Sequence, residues 1–500
     1  MRSPTSQLEK QDSPSSLREC VALTLAELRS QRGIALPLAA TNLTWFAKTA
    51  VTTAFLGRLG ERELAGGTLG LTFANVTGFS VLAGLCGAME PLCGQAHGAR
   101  NRKLLHRTLL MSTILLLLAS APVTFLWLNI ERILLHFGQQ REITSFAKKY
   151  ITYLLPDLAV TAFLSPLKAY LSAQGITFPT LLSSAAALAV HIPLNVFLAK
   201  KKGIAGVSTA IWLTDLAVAV MLAGYVLVAS EARRKAVSTA GEDGGNWWSE
   251  LRRPSEWARL LRLSVPCCLT TCLEWWCYEI LVLMAGRLPD PRRAVAVLAV
   301  VLNFDYLLFG AMLALATSAS ARVSNELGAG RANGARNSAF VSVGLGVLSG
   351  ILGGLAMASV RSRWGALFSH DREVVEGARK AMAVMAMVEV VNFPLATCGG
   401  IVRGTARPWL GMYASLGGFY FLALPAAVLL GFRARLGLGG LLLAFMVGAV
   451  ASTVLLVVLV ACMNWEEEAK KAQKLAGVGL IDDAGEPSDG GIEIGNRNSL

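Results

Sequence analysis

LLLAFMVGAVASTVLLVVLVACM, residues 441–463, contains no charged side chain. A helix needs about 20 residues to cross the roughly 30 Å of hydrocarbon in a bilayer, and this stretch is long enough. The composition of the whole chain points the same way. Only 16% of its residues are charged, whereas soluble proteins carry about 25%. The sequence therefore predicts a membrane protein.

Apolar runs between clusters of charge predict twelve transmembrane helices. Residues 17–28 carry Leu and Val at helical spacing, which predicts a further helix lying on the membrane surface. The chain is therefore expected to be an all-α membrane protein. The approximate bounds of the spans are 34–56, 66–89, 108–130, 150–172, 180–199, 204–229, 264–286, 294–318, 338–360, 381–402, 410–432 and 437–463.

The longest polar connection divides the spans into two sets of six. The predicted domains are a polar N-terminal tail with the surface helix (1–33), an N-terminal lobe (34–230), an inter-lobe cytoplasmic loop (231–263), a C-terminal lobe (264–463) and a C-terminal tail (464–500). The last tail begins with charge pairs at i,i+4 that support a short helix, and it is expected to be largely disordered beyond that helix. An even number of spans puts both termini on one side of the membrane. A small excess of Lys and Arg on that side favours the cytoplasm.

The chain repeats a series of landmarks at an interval of 229 to 234 residues. Gly57-Arg58-Leu59 recurs as Gly286-Arg287-Leu288, and Gly98-Ala99 recurs as Gly328-Ala329. Because each half has six spans, both halves enter the membrane in the same direction. A pseudo-two-fold axis along the membrane normal should relate them, with a site between them near the midplane. This arrangement is typical of transporters.

Four motifs resemble signatures of the multidrug and toxic compound extrusion (MATE) family. PLCGQAHGAR (91–100) and ARVSNELGAGR (321–331) resemble its paired signatures, and CLEWWCYEIL (272–281) and IVRGTARP (401–408) resemble its plant branch, the DETOXIFICATION proteins. The resemblance covers about residues 30–465. It implies the MATE fold, in which two six-helix lobes enclose a V-shaped cavity. It also implies an efflux carrier that exports organic solutes (xenobiotics, plant metabolites or hormones) in exchange for an ion.

Glycines recur in these motifs and in one of the spans. Gly94, Gly98, Gly328 and Gly330 lie where a span ends and a tight loop turns back, so we expect them to act in folding and lobe movement, not in ligand contact. In span nine, Gly344, Gly346, Gly350 and Gly354 predict a face for helix packing.

Two carboxyl groups lie inside the apolar run of CLEWWCYEIL. Glu274 is roughly 15–18 Å from either interface, where a charge costs about 3 kcal/mol or more. Such a group is expected to exchange protons, and Glu279 follows it at i+5. Each has an aromatic neighbour at i±4, Tyr278 for Glu274 and Trp275 for Glu279. For both acids a structural role, with a hydrogen bond to a neighbouring helix, remains open.

Other polar residues inside the spans are weaker candidates. By analogy with the family, Asp305 and Glu389 would complete a proton or cation site with Glu274 and Glu279. Some family members carry an acid in the first span, where this chain has Asn42, Thr44 and Lys48, so the proton site is expected in the C-terminal lobe. His191 is interpreted as a packing residue. Asp215 is expected either to pair within the N-terminal lobe or to satisfy a backbone group. The candidates for the cavity are Asn195, Tyr278, Trp275, Asp157 and Asn42.

Several classes of function are disfavoured. The net charge of +13 is spread over loops and tails without a basic stripe that alternates with aromatic residues, so no nucleic-acid partner is expected. The chain contains neither HExxH nor GxSxG, which disfavours a membrane-embedded lipid-modifying enzyme. The expected activity is proton-coupled antiport, and the alternatives are a sodium-coupled exporter or a lipid flippase of similar architecture.

The expected partners are a small organic substrate, protons and the lipid bilayer, and the chain is expected to be a monomer. No cofactor or metal is expected, because the proton gradient is the energy source; sodium is the alternative coupling ion. The sequence does not distinguish the plasma membrane from the vacuolar or endosomal membranes.

Overall fold

The computed structural model describes residues 17–237 and 253–477, and these residues are almost entirely helical. The predictions for 1–16, for the middle of the inter-lobe loop (238–252) and for the tail from 478 onward lie outside the described residues. The helices of the N-terminal half are α1 (Leu17–Leu59), α2 (Glu61–Ala74), α3 (Ser80–Cys86), α4 (Met89–Gly98), α5 (Arg102–Leu128), α6 (Ile130–His136), α7 (Arg141–Leu154), α8 (Pro156–Ala173), α9 (Phe178–Lys202) and α10 (Ile204–Val237).

The C-terminal half follows the same plan and ends in an additional short helix. Its helices are α11 (Pro254–Ala285), α12 (Pro291–Gly328), α13 (Ala332–Trp364), α14 (Arg372–Gly404), α15 (Pro408–Ser415), α16 (Leu424–Ala427), α17 (Gly437–Ala461) and α18 (Trp465–Leu475). Short irregular segments connect consecutive helices. They are the π-helical segments Asn75–Phe79, Leu416–Ala423 and Val428–Arg433 and the 3-10 turn Gly365–Leu367.

The structure contains the predicted spans. Within the described residues, ten helical stretches are long and apolar enough to cross a membrane. Helices α7 and α8 form an eleventh span that is bent by 49° between them, where Pro156 begins α8. The remaining predicted span lies within α1, which carries Lys48 and several threonines and is not among these apolar stretches.

The predicted surface helix is not a separate element. Helix α1 runs without a break from Leu17 to Leu59, so the stretch before residue 34 extends the first span. Its apolar spacing is real, but the stretch also carries polar side chains that bind the other lobe. Glu27 is 6% exposed and Gln31 is 2% exposed. Contact with a second lobe, which a single stretch of sequence does not reveal, therefore decides the course of this segment.

Each lobe has its own apolar core. Trp127, Tyr150 and Leu116 are fully buried in the N-terminal lobe, and Phe445, Met382 and Val301 are buried in the C-terminal lobe. Separate cores are the requirement for two bodies that move as units.

Glycines bring α13 close to α14 in the C-terminal lobe, as predicted for three of the four in span nine. A Cβ atom at Gly350 would lie 3.0 Å from the backbone oxygen of Glu389, and one at Gly354 would lie 2.5 Å from that of Ala386. Gly346 packs on Thr397 in the same way. The prediction was wrong for Gly344, which has no atom within 4 Å of its Cβ position. This close packing fixes the part of α14 that carries Glu389.

Candidate transport pathway between the lobes

The two lobes meet at their glycine motifs. Gly94 on α4 packs so closely on Ser324 of α12 that a Cβ atom at Gly94 would lie 1.8 Å from the serine Oγ. Gly94 and Ser324 occupy equivalent positions of the two repeats. The pseudo-two-fold axis therefore passes between them.

A reciprocal pair of contacts flanks this axis. A Cβ atom at Gly98 would lie 2.1 Å from the backbone oxygen of Asn325, and one at Gly328 would lie 2.1 Å from that of Gln95. Gln95 and Asn325 also occupy equivalent positions of the two repeats, so the two glycine contacts are related by the same symmetry. The loops that follow spans two and eight are consequently on the same face of the membrane, as parallel repeats require. We call this surface the glycine contact (Gly94, Gly98, Ser324 and Gly328).

Polar contacts surround the glycine contact on the side of the membrane that carries the described chain ends. Arg322 donates to both carboxylate oxygens of Glu27, at 3.0 and 2.7 Å. Gln31 donates to the Ser342 hydroxyl at 2.8 Å. Arg403 binds Glu90 at 3.0 Å. The lobes are therefore closed on this side.

Hydrogen bonds between the lobes extend only to about the middle of the membrane. The last of them join Asn42 Nδ2 to the Gly310 oxygen, at 2.8 Å, and Trp276 Nε1 to the Val76 oxygen, at 3.1 Å. In the ranges that the structure describes, none joins the outer halves of the spans. Asn42, a predicted cavity residue, thus acts as a bridge between the lobes and also lines a cavity.

That cavity lies just above the closure and has a volume of about 180 Å³. Both lobes line it with small apolar and hydroxyl-bearing side chains, together with one acid and one base. Lys168 forms no ion pair or hydrogen bond with the described residues, and sequence reasoning did not single it out as a cavity residue. The polar residues of the wall are Thr41, Asn42, Glu90, Lys168, Ser172, Thr180 and Thr317.

The C-terminal lobe holds two acids that face each other. The carboxyl groups of Asp305 on α12 and Glu389 on α14 lie within hydrogen-bonding reach of each other, and the residues are 5% and 1% exposed. Asn392 follows Glu389 by three residues on α14, and its Nδ2 donates to the Tyr278 hydroxyl at 3.5 Å. Oε1 of Glu389 has no hydrogen-bond donor among the described residues. Among the described side chains, neither acid has a basic partner. A hydrogen bond between two carboxyl groups requires a proton on one of them.

Glu274 belongs to a second polar site in the same lobe. Its Oε1 accepts a hydrogen bond of 3.0 Å from the Ser415 hydroxyl. Ser415 ends α15, immediately before the π-helical segment Leu416–Ala423. A π-bulge re-aims neighbouring side chains and is frequent at functional sites.

Glu279 and the two aromatic residues have different surroundings. Glu279 is half-buried and makes no hydrogen bond or ion pair with the described residues, so the structure does not join it to Glu274. Trp275 packs edge-on against Phe309, with ring centroids 6.5 Å apart. Tyr278 packs on Phe445 and points its hydroxyl to Asn392 beside Glu389. Tyr278 is therefore a neighbour of the Asp305–Glu389 pair as well as of Glu274.

The N-terminal lobe contains a bidentate ion pair among its charged residues. Lys48 Nζ lies 2.7 and 2.6 Å from the two carboxylate oxygens of Asp215. Asp157, which is 2% exposed, has one carboxylate oxygen without a hydrogen-bond partner. The sequence left open whether Asp215 pairs within its own lobe, and it gave no reason to choose Lys48.

Asn195 and His191 form a buried hydrogen-bonded group. The two His191 ring nitrogens lie 2.8 Å from the Thr214 hydroxyl and 3.2 Å from the Thr52 hydroxyl. Asn195 Nδ2 lies 3.0 Å from the same ring. Both residues are fully buried, so they hold α1, α9 and α10 together and do not face the cavity.

Comparison with known proteins agrees with this architecture. The MatE family profile matches residues 37–197 and 266–429, one segment in each lobe. Protein DETOXIFICATION 56 of Arabidopsis thaliana is 52% identical over 450 residues, which cover 90% of each chain. Protein DETOXIFICATION 48 of the same plant is 37% identical, over 90% of this chain and 83% of the relative.

Solved structures share the fold. The crystal structure of the eukaryotic MATE transporter AtDTX14 superimposes with a TM-score of 0.83 at 30% identity, covering 91% of this chain and all of that chain. A Vibrio cholerae MATE transporter matches with a TM-score of 0.75 at 17% identity, over 91% of this chain and all of the other.

These matches, together with two six-span lobes that meet at duplicated glycine motifs, show what kind of protein this is. The chain belongs to the MATE family, in its plant DETOXIFICATION branch, and is a multi-pass membrane transporter of the efflux type and not an enzyme.

Proposed function

We propose that this transporter exports organic solutes by proton antiport and that the acids of the C-terminal lobe carry the coupled proton. The observation that supports this most directly is the Asp305–Glu389 pair. It is buried, it faces no described basic group, and it can form its mutual hydrogen bond only when it holds a proton.

The Asp305–Glu389 pair has two states, one with a shared proton and one without it. With one proton, the pair is neutralised in part and hydrogen-bonded, and a closed, dry environment tolerates it. Without the proton, two like charges face each other, which is costly at short range. Release of the proton is therefore favoured when water enters the lobe, and proton uptake favours closure. A carboxyl pair of this kind couples protonation to the opening of its surroundings.

Glu274 is proposed to transmit this change to the substrate. It lies on α11, whose Tyr278 approaches the same acid pair through Asn392. The Ser415 hydroxyl satisfies one oxygen of Glu274 and leaves the other available to a ligand. Because linkage is reciprocal, substrate should displace protons, and the apparent affinity for substrate should fall as pH is lowered.

Orientation follows from charge bias together with the closure. If both termini are cytoplasmic, the closed side faces the cytoplasm and the lobes diverge toward the opposite side, where substrate leaves. Plasma, vacuolar and endosomal membranes are the candidate locations. A monomer is sufficient, since both lobes that flank the pathway belong to one chain.

The test is transport in reconstituted vesicles with an imposed pH gradient or an imposed sodium gradient. Radiolabelled tetraethylammonium, a flavonoid and a tricarboxylic acid serve as probes of three chemical classes. We expect uptake of at least one probe to follow the pH gradient and to stop when that gradient is collapsed. Uptake that ignores the pH gradient but stops without sodium would contradict the proposal and favour a sodium-coupled exporter.

A matched pair of variants on α14 locates the proton. Glu389→Gln removes the buried acid, whereas Glu373→Gln makes the same change at an exposed ion pair near the start of the same helix. We expect the first variant to lose gradient-driven uptake and the second to keep it. Equal uptake in both would exclude Glu389 as a proton carrier.

A further inference from the structure

A second cavity lies away from the transport pathway, on the closed side of the N-terminal lobe. Its volume is about 650 Å³, and it is bounded by the loop between α4 and α5 and by the last turns of α8 and α10. Five of its lining side chains are basic or imidazole groups, and one, Glu231, is acidic. The five are His97, Arg100, Arg102, Lys103 and His106. We call it the basic cavity.

The second repeat shows that the fold does not require these bases. At the equivalent corner of the C-terminal lobe, the same turn between spans contains Gly330, Ala332 and Asn333 where the N-terminal lobe has Arg100, Arg102 and Lys103. The one basic residue of that turn, Arg331, stands where the N-terminal lobe has Asn101, and it pairs with Glu326 at 2.6 Å. The two turns have the same course. The cluster of three bases is therefore a feature of the N-terminal lobe and not a requirement of the turn.

The conformation of Arg100 supports this argument. Its φ is +57°, and Gly330 at the equivalent position has a φ of +74°. Left-handed backbone is open to glycine but penalises any residue with a β-carbon. Arg100 adopts this conformation despite its cost, and its guanidinium lies at the edge of the cavity.

The two corners also differ in what covers them. In the C-terminal lobe, α18 folds back over the corner, and Gln473 lies so close to Gly330 that a Cβ atom there would be 2.3 Å from its Nε2. The end of α18 also touches the N-terminal corner, where Asn101 Nδ2 donates to the Ala476 oxygen at 2.8 Å. Helix α10 runs as one helix to Val237. The described residues leave the basic cavity open.

The cavity lies at the level of the lipid headgroups. The apolar stretch of α10 ends at Glu231, which lines the cavity, and Leu227 and Val228 just before it are 65% and 69% exposed. Tyr225, also in the wall, is 40% exposed, and tyrosine is enriched where a helix leaves the hydrocarbon. Basic pockets between transmembrane helices at this depth bind anionic headgroups.

We propose that the basic cavity binds the phosphate-bearing headgroup of an anionic membrane lipid. Arg100, Arg102 and Lys103 form charge-assisted hydrogen bonds to phosphate oxygens. The first backbone N–H groups of α5 add a favourable dipole. The lipid chains follow the exposed apolar surface of α10. A headgroup with several phosphates, such as a phosphorylated inositol, matches the number of bases and the volume.

The test measures thermal stabilisation of the purified full-length chain by dioctanoyl phosphatidylinositol 4-phosphate, with dioctanoyl phosphatidylcholine and inorganic phosphate as comparison ligands. We expect stabilisation by the phosphoinositide alone. The triple variant R100Q/R102Q/K103Q should weaken its apparent affinity by about tenfold or more, because three charged donors are lost. The triple variant K200Q/K201Q/K202Q removes the same charge from the other end of the lobe and should bind like the parent chain.

Each other outcome overturns the proposal. An equal effect of inorganic phosphate would indicate a site for free phosphate, and equal loss in both triple variants would indicate attraction by net charge alone. Absence of stabilisation in the parent chain would exclude the site. R100K/R102K keeps the charge, so binding by this variant shows that a loss in the glutamine variant does not come from misfolding.

Discussion

The two lobes share a repeat and a fold, yet each contains a pair of charged residues that the other lacks. In the N-terminal lobe, Lys48 and Asp215 form a bidentate ion pair. In the C-terminal lobe, Asp305 and Glu389 face each other. An ion pair is stable in one protonation state and resists change, whereas a carboxyl pair needs a proton and can release it. Under the proposed function, the Lys48–Asp215 pair is a fixed element of the N-terminal lobe, and the C-terminal lobe contains the exchangeable site.

The largest effect should come from the loss of the Glu274 carboxyl group on α11. We expect Glu274→Gln to reduce gradient-driven uptake to background while the protein still folds, because glutamine keeps the shape and the hydrogen bond from Ser415 but cannot carry a proton. Glu279→Gln, five residues further along the same helix, should retain most of the transport, since Glu279 has no described partner. The measurement is the initial rate of uptake in vesicles under a pH gradient. Uptake against a gradient by Glu274→Gln would remove Glu274 from the coupling site.

The next effect tests the fixed lobe. Asp215→Asn leaves the Lys48 ammonium without its partner, and breaking a buried pair in this way costs about 3–5 kcal/mol. We expect a clear fall in Tm. The double variant K48M/D215L removes both charges and should recover much of the stability. A variant Asp215→Asn with normal Tm but without proton-driven uptake would mean that the N-terminal lobe also carries a coupled proton, and the contrast between the lobes would fail.

A smaller effect concerns the surface where the lobes are alike. Gly98→Ala and Gly328→Ala each introduce a methyl group where the backbone of the other lobe lies 2.1 Å away. We expect both to loosen the closure to a similar extent, which hydrogen–deuterium exchange would detect as faster exchange in 94–98 and 324–328. Gly344→Ala, which has open space around it, is the control and should exchange normally. Very different effects of the two variants would show that the contact is not reciprocal.

The smallest effect is the pH dependence of the Glu27–Arg322 pair. Burial raises the pKa of Glu27, but the hydrogen bonds and charge of Arg322, together with hydrogen bonds from Gln31 and Ser338, outweigh it, so the pKa lies below the ordinary value of 4.5. Because the folded pKa is the lower one, the stabilisation is present above pH 4.5 and is lost as pH falls through the folded value. We expect Glu27→Gln to cost about 1–3 kcal/mol at pH 7. The difference in Tm from the parent chain should shrink below about pH 4, and a difference independent of pH would contradict the assignment.

The sequence was sufficient for the spans and the repeat, because the cost of placing charge in hydrocarbon dominates local preference. Leu441–Met463 is recognisable as a span by itself, and the glycine landmarks keep their order in both halves. The sequence could not reveal pairs between distant segments. Lys48 and Asp215 are 167 positions apart, and nothing near either residue indicates the other.

Within α11, the sequence alone could not rank Glu274 against Glu279. The difference between them is Ser415, which donates a hydrogen bond to Glu274 and lies immediately before a π-helical segment. The glycines of the motifs were expected to serve in turns and lobe movement. Gly330 does end its helix with a left-handed residue, but Gly94, Gly98 and Gly328 have a second role that depends on the other lobe. Such roles become visible only when both repeats are placed in space.

The glycine contact has a consequence for the history of the chain. In a symmetric pair of six-span subunits, one glycine codon would serve both contacts, and one mutation would damage both at once. After fusion of the two halves, Gly98 and Gly328 are encoded separately, yet each still packs against the other half. Each half can therefore change independently of the other, as the bases of the basic cavity in the N-terminal lobe and the carboxyl pair in the C-terminal lobe illustrate. At Gly98 and Gly328 a side chain would meet the backbone of the other half, so both halves keep a glycine there, whereas the neighbouring equivalent positions Gly94 and Ser324 differ.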